Sequence, residues 1–258
     1  MNLENKVIMI TGAAGGIGKA SAKICAGYGA KIVAVDRIAD GVKLTEKELR
    51  DAGHDAIGVE ADVTKRSSIR NAVSVAIKKY GRIDGLFNNA GVVKSTILVE
   101  CSDEEYDYVM GINTKGAFIV ATEVAKQMIE QRRGRIVSTS SISALKEEYS
   151  NGVYCMSKAA VSMMTRVLAL ELGKYNISVV AICPGHINTE LLQNAWKGQA
   201  ASQGKEYETF VKEMEKTISL GRLAQPEEVG ELVAFLFDDR SAYMDGNSVL
   251  FAGGKLMA

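Results

Sequence analysis

The sequence predicts an α/β fold with a doubly wound parallel sheet of about seven strands and helices on both faces. Three observations lead there. Short continuous runs rich in Val, Ile and Ala recur along the chain, the pattern of strands buried on both faces. Longer stretches of helical period lie between them, the alternation of a sheet built from βαβ units. Only two prolines occur, Pro184 and Pro226, with no Pro/Ser-rich linker, no internal repeat and no low-complexity tract to divide the 258 residues. One domain over residues 1–258 is the expectation.

The first run, Val7-Ile8-Met9-Ile10-Thr11, places a strand at 7–11, and a glycine-rich turn hands over to a helix at 16–28. Ile32-Val33-Ala34-Val35 marks a strand at 31–35, followed by a helix at 42–52. The pattern repeats with strands at 56–60 and 85–88 around a helix at 65–80. A long helix is expected over 103–131, then a strand at 135–139, a helix at 152–174 and a strand at 178–183. A helix at 226–237 and a strand at 248–251 complete the set. The polar-rich stretch 188–217, inserted after a strand end, is expected to be a helical flap over the site.

Composition narrows the function classes. The formal net charge is zero, with no extended basic run, so neither a nucleic acid nor an anionic membrane is an expected partner. Cys25, Cys101, Cys155 and Cys183 are scattered without a CxxC pair and read as reduced thiols. His54 and His186 are too far apart in the chain to suggest a metal site. The first residues lack the apolar stretch of a signal peptide, and no run approaches the ~18 apolar residues of a membrane span. A cytoplasmic location is the expectation.

The turn Thr11-Gly12-Ala13-Ala14-Gly15-Gly16-Ile17-Gly18 joins the first strand to the first helix. Glycines there permit a tight turn, close approach of the backbone to a pyrophosphate and close helix–strand packing. The helix N-terminus supplies free N–H groups for the phosphates. Asp36, at the tip of the second strand, can accept hydrogen bonds from ribose hydroxyls and would repel a 2′-phosphate. Arg37 beside it could accommodate such a phosphate, which blurs the choice; NAD is favoured over NADP. The fold is thereby expected to be Rossmann-like.

Tyr154 and Lys158 stand four residues apart, about one helical turn, and so project from the same face. An ammonium beside a phenol favours the phenolate. A free phenol ionises near pH 10, and bringing it to neutral pH takes about 4 kcal/mol. One close cation plus a charged cofactor is expected to supply that. Cys155 should face away from the reaction centre, since a helix turns about 100° per residue.

Gly12, Gly16 and Gly18 at this spacing, Asn88-Asn89-Ala90-Gly91, Asn113, Ser141 and the Tyr154/Lys158 pair together resemble the short-chain dehydrogenase/reductase family over essentially the whole chain. Asp62-Val63, Pro184-Gly185-His186-Ile187-Asn188-Thr189 and Gly221-Arg222 before Pro226 add to the resemblance. It implies that Tyr154 is the general acid/base, that Lys158 lowers the phenol's pKa and holds the nicotinamide ribose, and that Ser141 hydrogen-bonds the reacting oxygen. Ser140 is the adjacent alternative, with its side chain on the other face of the strand. Asn113 resembles the residue supporting a water between the lysine and solvent. For the cofactor it implies contacts from Gly12, Gly16, Ile17, Gly18, Asp36 and Arg37, and adenine contacts from Asp62 and Val63. Asn89, Ala90 and Gly91 would line the adenosine side, and Pro184, Gly185, Ile187 and Thr189 the nicotinamide side. Core packing is the alternative reading for Val63 and Ile187.

The pattern also departs from the family. Ala144 stands where a glycine commonly follows the serine, and Ala252 where an aspartate precedes the two last glycines. Lys146-Glu147-Glu148 is unusually charged for a segment beside the pocket and is expected to be solvated. Trp196 and Met214 would either roof the substrate or pack the flap on the body. The expected activity is hydride transfer between NAD and a secondary alcohol or ketone by a homotetramer. A non-catalytic NAD(H) sensor and a lyase or epimerase on the same scaffold are the alternatives.

Overall fold

Strands and helices alternate through the computed structural model, which describes residues 1–255. The strands are β1 (Val7–Thr11), β2 (Lys31–Asp36), β3 (Ala56–Glu60), β4 (Gly85–Asn88), β5 (Gly134–Thr139), β6 (Ile177–Pro184) and β7 (Ser248–Phe251). They form one parallel sheet in the order β3-β2-β1-β4-β5-β6-β7. This is a single Rossmann-like doubly wound fold. Connections from β1 run one way and those from β4 the other, so the switch point lies between these two neighbours.

Alternate residues of each strand feed two cores, because successive side chains point to opposite faces. Ile8, Ile10, Ile32, Ala34, Val180 and Ile182 pack with helices α1 (Gly16–Gly27), α2 (Ala39–Asp51) and α9 (Pro226–Phe237). Val7, Met9, Val33, Val35, Leu86 and Val179 pack against α3 (Arg66–Tyr80), α5 (Ala117–Gln131) and the C-terminal part of α6 (Gly152–Leu172). Both faces of the sheet are thus dry, which is why the strands read as unbroken apolar runs.

The expected helix over 103–131 is instead α4 (Asp103–Met110) and α5, joined by a π-helical turn at Gly111–Gly116. The interruption has tertiary causes. The Asn113 amide leaves the helix to bond the backbone of Val92 on both sides, accepting its N–H at 2.8 Å and donating to its C=O at 2.8 Å. Gly116 lies against Val63, so close that a Cβ there would meet the valine Cγ2 at 2.9 Å. Such π turns recur at functional sites. The 188–217 stretch contains two helices, α7 (Glu190–Ser202) and α8 (Tyr207–Lys216), with Trp196, Ala200 and Phe210 buried between them.

Helix α6, continued by a single turn to Tyr175, is long and apolar enough to cross a membrane by length and composition, which the sequence reading did not anticipate. Lys158 and Arg166 interrupt its apolar residues, so no continuous run is visible. Val161, Thr165, Ala169 and Leu172 are buried against the domain, the arrangement of a helix covering a sheet.

Candidate active site

A cleft of about 1990 Å³ opens at the C-terminal ends of the strands, across the switch point, where doubly wound sheets bind ligands. Its first half is made chiefly of backbone. Gly12 takes a φ of +71°, a left-handed conformation that favours glycine. A Cβ on Gly18 would lie 2.1 Å from the Gly12 carbonyl oxygen, so α1 can approach the turn only because that side chain is absent. No side chain caps α1 and no acidic residue stands in its first turn. Its leading N–H groups and positive dipole end are therefore open to an anion. A Cβ on Gly15 would meet nothing within 4 Å, so the turn faces open space.

Asp36 closes the far wall. Its carboxylate accepts the N–H of Ala14 at 3.0 Å and that of Ile38 at 3.0 Å, fixing it at the tip of β2. Arg37 beside it is exposed and also lines the cleft. Asp62 accepts Thr64 N–H at 2.9 Å and Thr64 Oγ1–H at 2.7 Å; these bonds and Lys65 outweigh the upward push of desolvation and hold its carboxyl below the usual range. Asn89 ties three strands together. It donates from its backbone N–H to Thr11 Oγ1 at 3.0 Å and from Nδ2 to Thr11 C=O at 3.1 Å, and accepts Thr139 Oγ1–H at 3.1 Å. Gly12, Ala90, Gly91 and Val63 line the cleft beside it.

These features fit a dinucleotide. The cradle excludes a Cβ, the helix end offers unbonded N–H groups, and a fixed carboxylate stands where ribose hydroxyls would lie. On the other side of the cleft, Thr189 caps α7, accepting Leu192 N–H at 3.3 Å, and its methyl lies 3.6 Å from where a Gly16 Cβ would be. Pro184, Gly185 and Ile187 complete this wall. Ile187 is 5% exposed and belongs to the core as well as to the lining.

The Ser141, Tyr154 and Lys158 side chains sit at the end of β5 and on α6. Ser141, just beyond β5, interacts with the Tyr154 phenol through its hydroxyl, which also accepts Ser143 N–H at 3.1 Å. Ser140 points the other way, donating to the Lys158 carbonyl at 2.9 Å and meeting Ser162 Oγ at 2.8 Å. Lys158 is 4% exposed, and its Nζ donates to the Thr139 carbonyl at 2.9 Å. The Asn113 amide donates to Ser157 Oγ at 3.0 Å, binding the π turn to α6 next to the lysine.

The electrostatics differ from the simple lysine–phenol account. Burial pushes the Tyr154 phenol up to about 12; the Ser141 hydrogen bond draws it down, while Glu148 and Cys155 add to the rise. Burial pulls the Lys158 ammonium down to about 8. Nζ lies 5.6 Å from the centroid of the Tyr154 ring and spends a hydrogen bond on Thr139. Burial thus disfavours the charged form of both groups. A drop of the phenol toward neutral pH needs charge brought by something bound.

Of the residues singled out in the sequence, Gly18 and Asn113 do not line the cleft. Gly18 acts by permitting contact with Gly12, and Asn113 by shaping the π turn. Lys146 and Glu147 are exposed and Glu148 half-buried, and all three border the cleft. Trp196, 3% exposed, serves as both roof and lid core; it meets the His186 ring edge-on at 4.9 Å and Phe210 at 5.9 Å. Met214 packs on the same cluster and lines the cleft. Thr11, Thr139 and Ser157 are the supports that sequence reasoning missed. Thr11 and Thr139 each stand at the last position of a strand, the one signal available.

A doubly wound sheet with a glycine cradle, an acidic strand tip and a Ser/Tyr/Lys cluster at one cleft defines the nicotinamide-dependent oxidoreductases of this fold. Residues 6–200 match the model of the short chain dehydrogenase family, and the chain belongs to that family. It is 38% identical over 256 residues to oxidoreductase UcpA of Salmonella typhimurium, covering 99% of this chain and 96% of that one. It is 37% identical over 257 residues to the 3-oxoacyl-[acyl-carrier-protein] reductase FabG of Thermotoga maritima, covering the whole of both. Among solved structures, NAD+-bound xylitol dehydrogenase superposes with a TM-score of 0.95 at 32% identity, over 98% of this chain and all of the other.

Proposed function

We propose that this protein is an NAD-dependent dehydrogenase/reductase that interconverts a secondary alcohol and its ketone, with Tyr154 as general acid/base. One observation carries the reading: Ser141, Tyr154 and Lys158 converge at the end of β5, on the same cleft as the glycine cradle and Asp36. When bound, the nicotinamide supplies or accepts the hydride. In oxidation the Tyr154 oxygen takes the carbinol proton; in reduction the phenol returns it to the carbonyl oxygen. Ser141 Oγ hydrogen-bonds that same oxygen, stabilising the charge that develops on it. Lys158 would hold the nicotinamide ribose hydroxyls, and its ammonium would support the phenolate during proton transfer.

Gly12, Gly16 and Ile17 would hold the pyrophosphate, with Gly18 letting α1 approach the turn and Thr189 on the opposite side. Asp36 would accept hydrogen bonds from the adenosine ribose, and its carboxylate favours NAD over NADP. Arg37 borders that position. Asp62 and Val63 would contact the adenine, Asn89, Ala90 and Gly91 the adenosine side, and Pro184, Gly185 and Ile187 the nicotinamide. Asn113 keeps the lysine's neighbourhood in register. Residues 1–258 would act as one catalytic unit with α7 and α8 as its lid.

We further propose a cytoplasmic homotetramer. Phe118 on α5 and Met163, Val167 and Leu170 on α6 are exposed apolar side chains on the two long helices, a face suited to a second copy. Sedimentation as a lone 27.7 kDa species would contradict the tetramer. The activity is tested by incubating the protein with paired alcohols and ketones and each of NAD(H) and NADP(H). Stoichiometric conversion of the nicotinamide, abolished in Tyr154→Phe, is the expected result. Product without net nicotinamide turnover would point to a lyase or epimerase. Tight nicotinamide binding with no turnover of any substrate would point to a sensor.

A further inference from the structure

The loops after β4 and β5 are zipped together at the substrate end of the cleft. Thr96 N–H donates to the Ser150 carbonyl at 2.7 Å, and Thr96 bridges Asn151 in parallel register. Ser95 Oγ–H donates to Asn151 Oδ1 at 2.8 Å. Asn151, buried, passes this order on: its Nδ2 donates to Glu148 Oε2 at 3.0 Å and its backbone N–H to the Glu148 carbonyl at 3.1 Å. Between them Ser150 adopts a φ of +59°, a left-handed conformation that costs a non-glycine residue about 1–2 kcal/mol. Strain of this kind persists where the surroundings over-determine it and clusters at ligand clamps. Ser150 lies between Glu148 and Asn151 in this turn, and Glu148 borders the cleft.

We propose, on the basis of the alcohol/ketone reading above, that Glu148 is a specificity-determining residue whose carboxylate accepts a hydrogen bond from a second hydroxyl of the substrate, selecting a diol or polyol over a mono-alcohol. One carboxylate oxygen is fixed by Asn151, and the group borders the cleft together with Tyr154, Ser141 and His186. It is close enough to Tyr154 for its charge to oppose ionisation of the phenol. A carboxylate has only acceptor sites, so it pairs with hydroxyl donors and repels an anionic group at the same position. Lys255, whose ammonium is favoured by the charge of Glu148, also donates to Thr217 Oγ1 at 2.5 Å. The His186 imidazole, held neutral by burial with its pKa pulled down to about 4, adds a second uncharged polar group on this side. A hydroxylated, uncharged substrate matches this lining.

The test uses substrates matched in skeleton: 2-butanol with 2,3-butanediol, and cyclohexanol with 1,2-cyclohexanediol, each with NAD. Wild-type protein is expected to prefer the diol of each pair in kcat/KM. Glu148→Gln should lower the ratio of kcat/KM for diol over mono-alcohol by at least about tenfold, because a charge-assisted bond becomes a neutral one, a ratio in which any effect on Tyr154 common to both substrates cancels. Glu148→Asp should recover part of the loss. Unchanged diol preference in Glu148→Gln, or equal losses on both members of a pair, would overturn the assignment and leave the alcohol/ketone reading standing. If wild-type protein oxidises none of the four and reduces none of the matching ketones, the redox reading falls and this inference with it. Melting curves of the variants separate loss of fold from loss of recognition.

Discussion

The two halves of the cleft are built from different materials. The half over β1, β2 and β4 is made of turns, N–H groups and carbonyls: the Gly12–Gly18 turn, the uncapped start of α1 and the Asn89 crosslink to Thr11. The half over β5 and β6 is made of side chains on loops and lid helices: Glu148, His186, Trp196 and Met214. A backbone cradle suits a ligand common to many enzymes, since it reads phosphates and ribose through geometry that few sequences can supply. Side chains on loops can change without disturbing the sheet, so the second half is where one enzyme of the fold differs from another. Tyr154 and Lys158 stand at the seam, on a helix that is part of the body.

Perturbing the seam should have the largest effect. Tyr154→Phe removes the proposed proton carrier and is expected to lower kcat/KM by about 10³-fold, while cofactor binding, read by the fluorescence of Trp196, changes little. Retention of full activity would reassign the acid/base.

Breaking the backbone half comes next. Gly18→Ala places a methyl against the Gly12 carbonyl, and overpacking of that kind costs typically ~1–3 kcal/mol. A lower melting temperature together with a raised cofactor KM is expected. The corresponding loop change on the other half, Glu148→Gln, should leave the melting temperature nearly unchanged.

Lys158 offers a pH-resolved comparison. Its ammonium ionises near 8 in the fold because burial disfavours charge, against 10.5 for an exposed lysine. Between those values the unfolded chain binds more protons, so stability rises with pH across the window; below pH 8 the penalty is fully present. Lys158→Met should therefore be more stable than wild type by about 1–3 kcal/mol at pH 7. That advantage should shrink between pH 8 and 10.5 in denaturant titrations. A constant advantage would mean that burial of the charge is not its cause.

A smaller change is expected at Asp36. Asp36→Asn removes the charge opposing a 2′-phosphate while keeping an acceptor oxygen. The ratio of kcat/KM for NADP over NAD should rise about tenfold or more, since juxtaposed like charges cost several kcal/mol. An unchanged ratio would place cofactor selectivity at Arg37 or elsewhere.

Much of this molecule was legible in its residues. The strands are apolar on both faces, so their limits emerge within one or two residues, as at β1, β3, β4 and β7. Gly12, Gly18 and Asp36 act through properties of the residue types themselves: the missing Cβ and the fixed charge. The break between α4 and α5 was not legible, because it depends on the Asn113 amide reaching Val92 and on Val63 pressing against Gly116, partners 21 and 53 positions away. The charge on the phenol was not legible either. Spacing puts Tyr154 and Lys158 on one face, but Thr139 claims the ammonium and burial raises the phenol. Local periodicity and residue chemistry thus decide the sheet, the cradle and the reacting pair. The burial of that pair, the turn that shapes its surroundings and the anchoring of Asn151 by Ser95 come from contacts between distant segments, which exist only once the sheet has brought those segments together.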